Sequence, residues 1–188
     1  MPPVLHIKLG LINAKCSALE NIHSYEYILS ELYSKARVTK KRYQGGTLEG
    51  NECSRVVKAY VENNWIDSHP LKKYLPLFQS YDQMSQLAFS IRKNLTDDDI
   101  VNISIAITEY IITWQGMAPQ LKLTEPLKLH VLSHVLEYCI RFRSTPANYS
   151  EQDGESLHRS FKNVLEQFKT QGNNALKAAV KKFNASNF

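Results

Sequence analysis

The sequence predicts an all-α protein: a single globular bundle of about six to seven helices with no substantial sheet. Three observations predict this fold class. Apolar residues recur every three or four positions along most of the chain, residues that cap helices precede several of these stretches, and 188 residues suffice to bury a core without disulfides or metals. We therefore expect one domain over residues 1–188.

The first half of the chain begins with a long helical stripe. Its apolar spacing predicts a helix over 5–36, with Gly10 as the point where the helix could break. A basic loop over 35–47 follows, because its paired glycines permit backbone angles that other residues resist. A second helix is expected over 48–63.

Prolines and capping residues divide the middle of the chain. A short helical turn is expected between Pro70 and Pro76, followed by a helix over 77–93. A capping threonine and three acids then open a helix over 97–114, and a connector over 116–123 follows it. This helix is apolar nearly all round, which predicts that it is the most buried element. Its β-branched run would also suit a strand, but its length and its capped start favour a helix.

Three more helices are expected towards the C-terminus, over 126–143, 151–169 and 175–183. A proline opens the first of them, and Ser150 with Asp153 has the form of a capping box before the second. The first has an apolar set that we expect to face inward: Leu127, Val131, Leu132, Val135, Leu136, Cys139 and Ile140.

Composition excludes several classes of protein. The three cysteines, Cys16, Cys53 and Cys139, stand alone, which argues against a disulfide framework or a zinc finger and favours a reducing compartment. The start lacks the pattern of a signal peptide, and no apolar segment reaches the roughly 20 residues that span a bilayer. We expect an intracellular protein, nuclear or cytoplasmic, that is not secreted and does not enter the membrane.

A set of histidines and glutamates suggests a metal site. His130, His134 and Glu137 share one helix face, and Glu155 and His158 have the i, i+3 spacing with which a carboxylate and an imidazole can hold one metal. If their two helices pack antiparallel, these side chains suffice for zinc, manganese or iron, and magnesium is the other divalent ion to consider. Otherwise no cofactor is expected. The alternative is that these side chains hydrogen-bond one another at a partly buried contact.

The basic loop is a candidate nucleic-acid surface. Lysines and arginines can neutralise phosphates, and an adjacent tyrosine can stack on a base, although basic runs are also common in solvated loops. The net charge of +5 gives mild support. The candidate residues are Lys35, Arg37, Lys40, Lys41, Arg42 and Tyr43.

Three stretches carry a family resemblance. They read PPVLHIKLGLIN, RYQGGTLEGNECSRVVK, and PLKLHVLSHVLEYCIRF followed by YSEQDGESLHRSF. Their motifs, LH-x-x-LG-x-x-N, GG-x-x-x-GN and SEQ-x-x-ES-x-H in this order, resemble the C-terminal part of transposon-derived proteins of invertebrate genomes. Such proteins look like transposases of the ribonuclease-H-like type, whose triad of acids holds two metal ions for phosphodiester cleavage.

The resemblance implies binding without cleavage. It matches Glu155 to the helix-borne acid of the triad, with Glu151 second, whereas the two strand-borne aspartates have no counterpart in this chain. It therefore implies a transposase-derived helical fragment with a DNA-facing surface and no nuclease activity of its own. Its partners would be DNA and a missing N-terminal catalytic segment. A second hypothesis is a metal-binding helical bundle or metal-dependent enzyme that uses the histidines and glutamates of the last two long helices. A third is a protein interaction module whose first helix packs its apolar stripe against a missing partner segment or a second copy of the chain.

Overall fold

The computed structural model describes residues 4–39, 47–123 and 127–149. The chain divides into two compact units, Met1–Asn148 and Tyr149–Phe188, and almost all described residues lie in the first. Within these described ranges the protein is helical, has one isolated bridge between Lys93 and Ser144, and contains no sheet. The predicted all-α class is confirmed.

Seven α-helices follow one another in the described part of the chain, with one π-helical segment and two 3-10 turns between or after them. Their bounds are α1 Val4–His23, α2 Tyr25–Ile28, the π segment Leu29–Tyr33, α3 Ser34–Ala36, α4 Gly50–Glu62, a 3-10 turn Lys72–Tyr74, α5 Leu75–Ala88, α6 Asp97–Leu121, α7 Leu127–Phe142 and a 3-10 turn Pro146–Tyr149. None of the helices in these ranges is long and apolar enough to cross a membrane.

The first helix breaks at Ser24 and not at Gly10. Helix α1 continues through Gly10 because the fully buried Leu11 and Ile12 follow it, so their packing outweighs the low helix propensity of one glycine. Ser24 takes a φ of 69° and its hydroxyl accepts a hydrogen bond from the Tyr27 backbone N–H at 3.3 Å, which caps α2.

Three predicted boundaries in the middle of the chain were wrong: both ends of α5 and the end of α6. Helix α5 begins two residues earlier than expected, because Pro76 fits the first turn of a helix, and it ends at Ala88 instead of position 93. Helix α6 runs through the expected connector as far as Leu121, with Pro119 inside its last turn. The buried Trp114 and Leu121 lie two turns apart on the same face and hold this extension against the core.

Helix α6 is a core helix on one side only. Its start is fixed by a capping box between Thr96 and Asp99, and its inward face packs chiefly against α5. The prediction that it is apolar and buried nearly all round was wrong for Val101, Ile105 and Ile112, which are exposed. The buried residues lie on the opposite face and are Ile103, Ala106, Ile107, Tyr110, Trp114 and Leu121.

Helix α7 packs against α6 and α1 through Leu129, Leu132, Val135 and Cys139, all buried. The predicted inward position of Ile140 was wrong, since its side chain is exposed. Burial raises the pKa of the Cys139 thiol to about 11, so this cysteine stays protonated in the core.

Candidate functional site

Both ends of the basic loop are anchored. Near the start of the loop, the Val38 N–H donates to the Tyr33 carbonyl at 2.9 Å. After the loop, Asn13 clamps Leu48: its Oδ1 accepts from the Leu48 N–H at 2.7 Å and its Nδ2 donates to the Leu48 carbonyl at 3.1 Å. Residues 40–46 are outside the described part of the chain, and with them the predicted contacts Lys40, Lys41, Arg42 and Tyr43.

Two arginines meet at the base of this loop. Arg37 is exposed, with a left-handed backbone (φ 53°), and its carbonyl accepts a hydrogen bond from Nη1 of the exposed Arg55 at 2.8 Å. Arg55 lies on α4, after the loop, and sequence reasoning missed it. The sequence feature that could have identified Arg55 is its outward position on an amphipathic helix that starts where the loop ends.

Lys35, another residue of the predicted basic set, contacts Trp65 and Glu31. Its Nζ lies 4.9 Å from the centroid of the Trp65 ring and 3.7 Å from Glu31 Oε2. The lysine therefore makes a cation–π contact and an ion pair within the fold, which reduces the charge that it can offer to a phosphate.

The π segment carries one half of a histidine–carboxylate pair. His69 Nε2 lies 3.4 Å from Glu31 Oε2, and His69 Nδ1 accepts a hydrogen bond from the Leu71 N–H at 3.2 Å. Because Nδ1 is an acceptor, the proton of a neutral His69 is on Nε2 and points to Glu31. The Trp65 ring packs on His69 at 4.5 Å between centroids. This pair fastens the π segment to the stretch that precedes α5.

A second histidine lies beside this pair. Burial is the main cause that lowers the pKa of His23, and the positive charge of Lys73 and the neighbouring His69 add to it. The Nε2 atom of His23 is buried without a hydrogen-bond partner among the described residues. His23 and His69 both pack against the Tyr27 ring, at 5.6 and 6.4 Å between centroids. This arrangement favours a neutral, packed histidine.

Of the three predicted metal ligands on α7, His134 and Glu137 form a polar pair, and His130 contacts only the ring of His134 in this set. The rings of His130 and His134 are 5.3 Å apart, and His134 Nδ1 lies 3.1 Å from Glu137 Oε2, with the side chains of His134 and Glu137 largely exposed. In the described ranges no group of three His, Cys, Asp or Glu side chains is arranged to hold a metal ion. Glu155 and His158 are outside those ranges, so the metal site and the catalytic role of Glu155 stay predictions.

Sequence reasoning also missed a lysine in the core. Lys15 is fully buried, and its Nζ lies 3.9 Å from the centroid of the Tyr81 ring, 5.1 Å from that of Tyr110 and 4.9 Å from that of Phe78. The amine has no hydrogen-bond partner among the described residues, and burial holds its pKa well below the usual range. The sequence does indicate the burial of this lysine, since Lys15 is in helical register with the buried Ile12 and Leu19.

An open cleft of about 630 Å³ lies between α1 and the end of α6. Its lining includes Ser17, Asn21, Ile22, Gln120 and Lys122. The described residues that line it include no acid, histidine or cysteine, so they offer hydrogen bonds and one positive charge but no acid–base pair.

No protein-family model matches the chain, and neither a curated protein nor a solved structure matches it significantly. The resemblance to transposon-derived proteins therefore stays a prediction. Function has to be argued from the surfaces described above.

Proposed function

We propose that the chain is a non-catalytic, transposase-derived helical fragment that binds DNA through a basic surface at the loop between α3 and α4. This loop surface consists of Arg37 and Arg55 at its base and of Lys40, Lys41 and Arg42 in the loop itself. The observation that supports the proposal best is the 2.8 Å hydrogen bond that holds the Arg55 guanidinium against the Arg37 carbonyl.

Anchored ends favour binding by the loop. The Asn13 clamp and the Val38 hydrogen bond fix where the loop leaves and rejoins the fold. An arginine already held in place loses less side-chain entropy when it meets a phosphate, and its planar fork matches two phosphate oxygens. Each phosphate contact releases counterions, so binding by this surface depends steeply on salt.

DNA cleavage by this chain alone is not part of the proposal. In the transposases that the sequence resembles, three acids must converge to hold two metal ions. Glu155 matches one of the three, and the resemblance supplies no strand-borne partner for it in this sequence. The chain would then contribute affinity for DNA, and a separate catalytic segment would supply the chemistry.

Fluorescence anisotropy of a labelled DNA duplex across a salt series tests the proposal. We expect the double variant Arg37→Gln, Arg55→Gln to weaken binding and to lower the slope of log K against log salt by about 0.9 for each phosphate that is no longer neutralised. Changing Lys40, Lys41 and Arg42 to Gln should lower the slope further.

A matched control removes the same charge elsewhere. Lys93 and Lys122 are exposed, and Lys122 has a left-handed backbone like that of Arg37 (φ 49° against 53°). The double variant Lys93→Gln, Lys122→Gln should bind DNA with the slope of the wild type. An equal weakening in both double variants, or no binding by the wild type at low salt, would contradict the loop surface.

A further inference from the structure

The exposed face of α6 carries an apolar stripe. Val101, Ile105 and Ile112 are 54%, 49% and 63% exposed, and Thr108 between them is exposed too. At 100° per residue these four side chains lie within a narrow sector of the helix. We name this set the α6 seam. It runs along a helix of 25 residues whose opposite face is buried.

The spacing of the seam is that of a coiled coil. Its residues are separated by four, three and four positions, so Val101 and Thr108 occupy d positions and Ile105 and Ile112 occupy a positions of a heptad. The same series extends to Asp98 at its start and to Gln115 near its end. A helix with this pattern packs its a and d side chains into a second helix of matching pattern.

The seam is complementary to itself when reversed. The order four, three, four reads the same in both directions, so an antiparallel copy places Val101 opposite Ile112 and Ile105 opposite Thr108. Every such contact occurs twice about a two-fold axis, which is the arrangement of an isologous dimer.

The charge at the start of the seam favours the antiparallel arrangement. Asp97 forms an ion pair with Arg143 at 2.5 Å and Asp99 pairs with Arg92, whereas Asp98 is exposed at the end of the seam. A parallel pair would set Asp98 against its own copy and align two helix dipoles. In the antiparallel pair Asp98 meets Gln115, and the dipoles oppose each other.

We propose that a second copy of this chain packs antiparallel on the α6 seam. Helix α6 contains no lysine or arginine, so a nucleic-acid backbone has no cation to meet on this face. The apolar content of the seam, its reversible spacing and its charge placement together select another α6 as the partner. This dimer is independent of DNA binding, since the seam shares no residue with the loop surface.

Cysteine cross-linking of the full chain tests the register. We expect a disulfide when Val101→Cys protein is mixed with Ile112→Cys protein, because these positions face each other across the pair. Either variant alone should not cross-link, since the two copies of one position are separated by 11 residues, about 16 Å along the helices, and a disulfide needs Cα atoms within about 7 Å. Wild-type protein is the background control, because Cys16, Cys53 and Cys139 are buried.

Each other outcome of the cross-linking overturns the proposal. Self-linking of Val101→Cys at the efficiency of the mixture would indicate a parallel pair. No link in the mixture, at concentrations where the wild type sediments as a dimer, would place the dimer contact elsewhere. These variants change exposed side chains, so they leave the core intact.

Sedimentation velocity tests the dimer itself. Wild-type protein should dissociate on dilution, and Ile105→Glu should shift the equilibrium to the monomer by at least tenfold in Kd, because a charge at an a position is removed from water between the two helices, where the partner's Thr108 cannot neutralise it. Ile66→Glu is the matched control, since Ile66 is 68% exposed and lies outside α6. A wild type that stays monomeric at the highest attainable concentration, or an equal shift in the control, would overturn the proposal.

Discussion

Lys15 is the residue at which the physical forces oppose each other most directly. Burial without a hydrogen-bond partner disfavours the ammonium form, whereas the three surrounding rings attract a cation through their π faces. Each desolvated cation–π contact contributes about 2 kcal/mol, and the desolvation of an unpaired buried ion costs several kcal/mol. The amine has no hydrogen-bond partner among the described residues to add to the three rings, and burial lowers its pKa in the folded state. Folding therefore disfavours the ammonium form relative to the unfolded chain.

We expect Lys15→Met to raise the free energy of unfolding near neutral pH by about 1–3 kcal/mol, because it removes the unpartnered amine and keeps the length of the side chain. The pKa of Lys15 is lowered in the folded state, so the unfolded chain binds more protons and wild-type stability rises with pH up to the unfolded pKa of about 10.4. The advantage of the variant should therefore shrink as the pH rises.

Urea unfolding followed by circular dichroism over a pH series measures both effects. Lys58→Met, at an exposed lysine of α4, should change neither the stability nor its pH dependence by a comparable amount. If Lys15→Met is less stable than the wild type near neutral pH, the cation–π contacts outweigh desolvation and the amine is charged in the core.

Among the elements, α6 has the clearest start. The Thr96 hydroxyl accepts from the Asp99 N–H at 3.1 Å, and Asp99 Oδ2 accepts from the Thr96 N–H at 3.0 Å. The hydrogen bond from the Thr96 N–H is the main cause that holds the pKa of Asp99 below its usual range. The Thr96 hydroxyl and the nearby Arg92 guanidinium contribute to this lowering. Two N–H groups that the helix itself leaves without partners are thereby satisfied.

We expect Thr96→Ala to lower the free energy of unfolding by about 1 kcal/mol, because the variant cannot cap the helix. The control is Thr113→Ala inside the same helix, where the hydroxyl only donates back to the Glu109 carbonyl and alanine is the better helix former. Thermal unfolding of both variants measures the difference. An equal effect of the two substitutions would show that the cap contributes nothing specific.

The start of α6 was predictable from sequence, whereas the ends of α5 and α6 were not. The threonine and three acids placed the start of α6 at Asp97. Gly116 and Pro119 indicated a connector because both residues have a low helix propensity. The burial of Leu121 nevertheless extends the helix through them. Periodicity also could not tell which side of α6 is covered, because Val101 and Ile105 are as apolar as the residues that face the core.

The candidate sites were predictable only in part, for a related reason. Side chains adjacent in sequence, such as Arg37 and the loop lysines, form a visible basic run. The Arg55 contact with Arg37 joins residues 18 positions apart, and His69 reaches Glu31 across 38. Contacts of this kind depend on how the helices pack, which the spacing of residues along one chain does not specify.

At the scale of the whole molecule, hydrogen bonds join residues 90–95, before α6, to residues 143–145, after α7, and we name this set the polar clip. The segment before α6 meets the segment after α7: the Leu95 N–H donates to the Arg143 carbonyl at 2.9 Å, and the Thr145 N–H donates to the Arg92 carbonyl at 3.0 Å. The fully buried Thr145 hydroxyl donates to the Ser90 carbonyl at 2.5 Å and accepts from the Arg92 N–H at 3.1 Å. One side chain thus satisfies backbone groups more than 50 residues away along the chain.

We expect Thr145→Val to lower the free energy of unfolding by about 1–3 kcal/mol, because it keeps the shape of the side chain but removes the hydroxyl from two partly buried backbone groups. Thr145→Ser keeps the hydroxyl and removes one methyl group, so it should cost about 1 kcal/mol. Urea unfolding measures both values. Hydrogen exchange of the Arg92 N–H should also become faster in Thr145→Val than in Thr145→Ser, since only the valine removes its acceptor. If valine proves as stable as serine and the exchange is unchanged, the backbone hydrogen bonds alone hold the clip and the hydroxyl is dispensable.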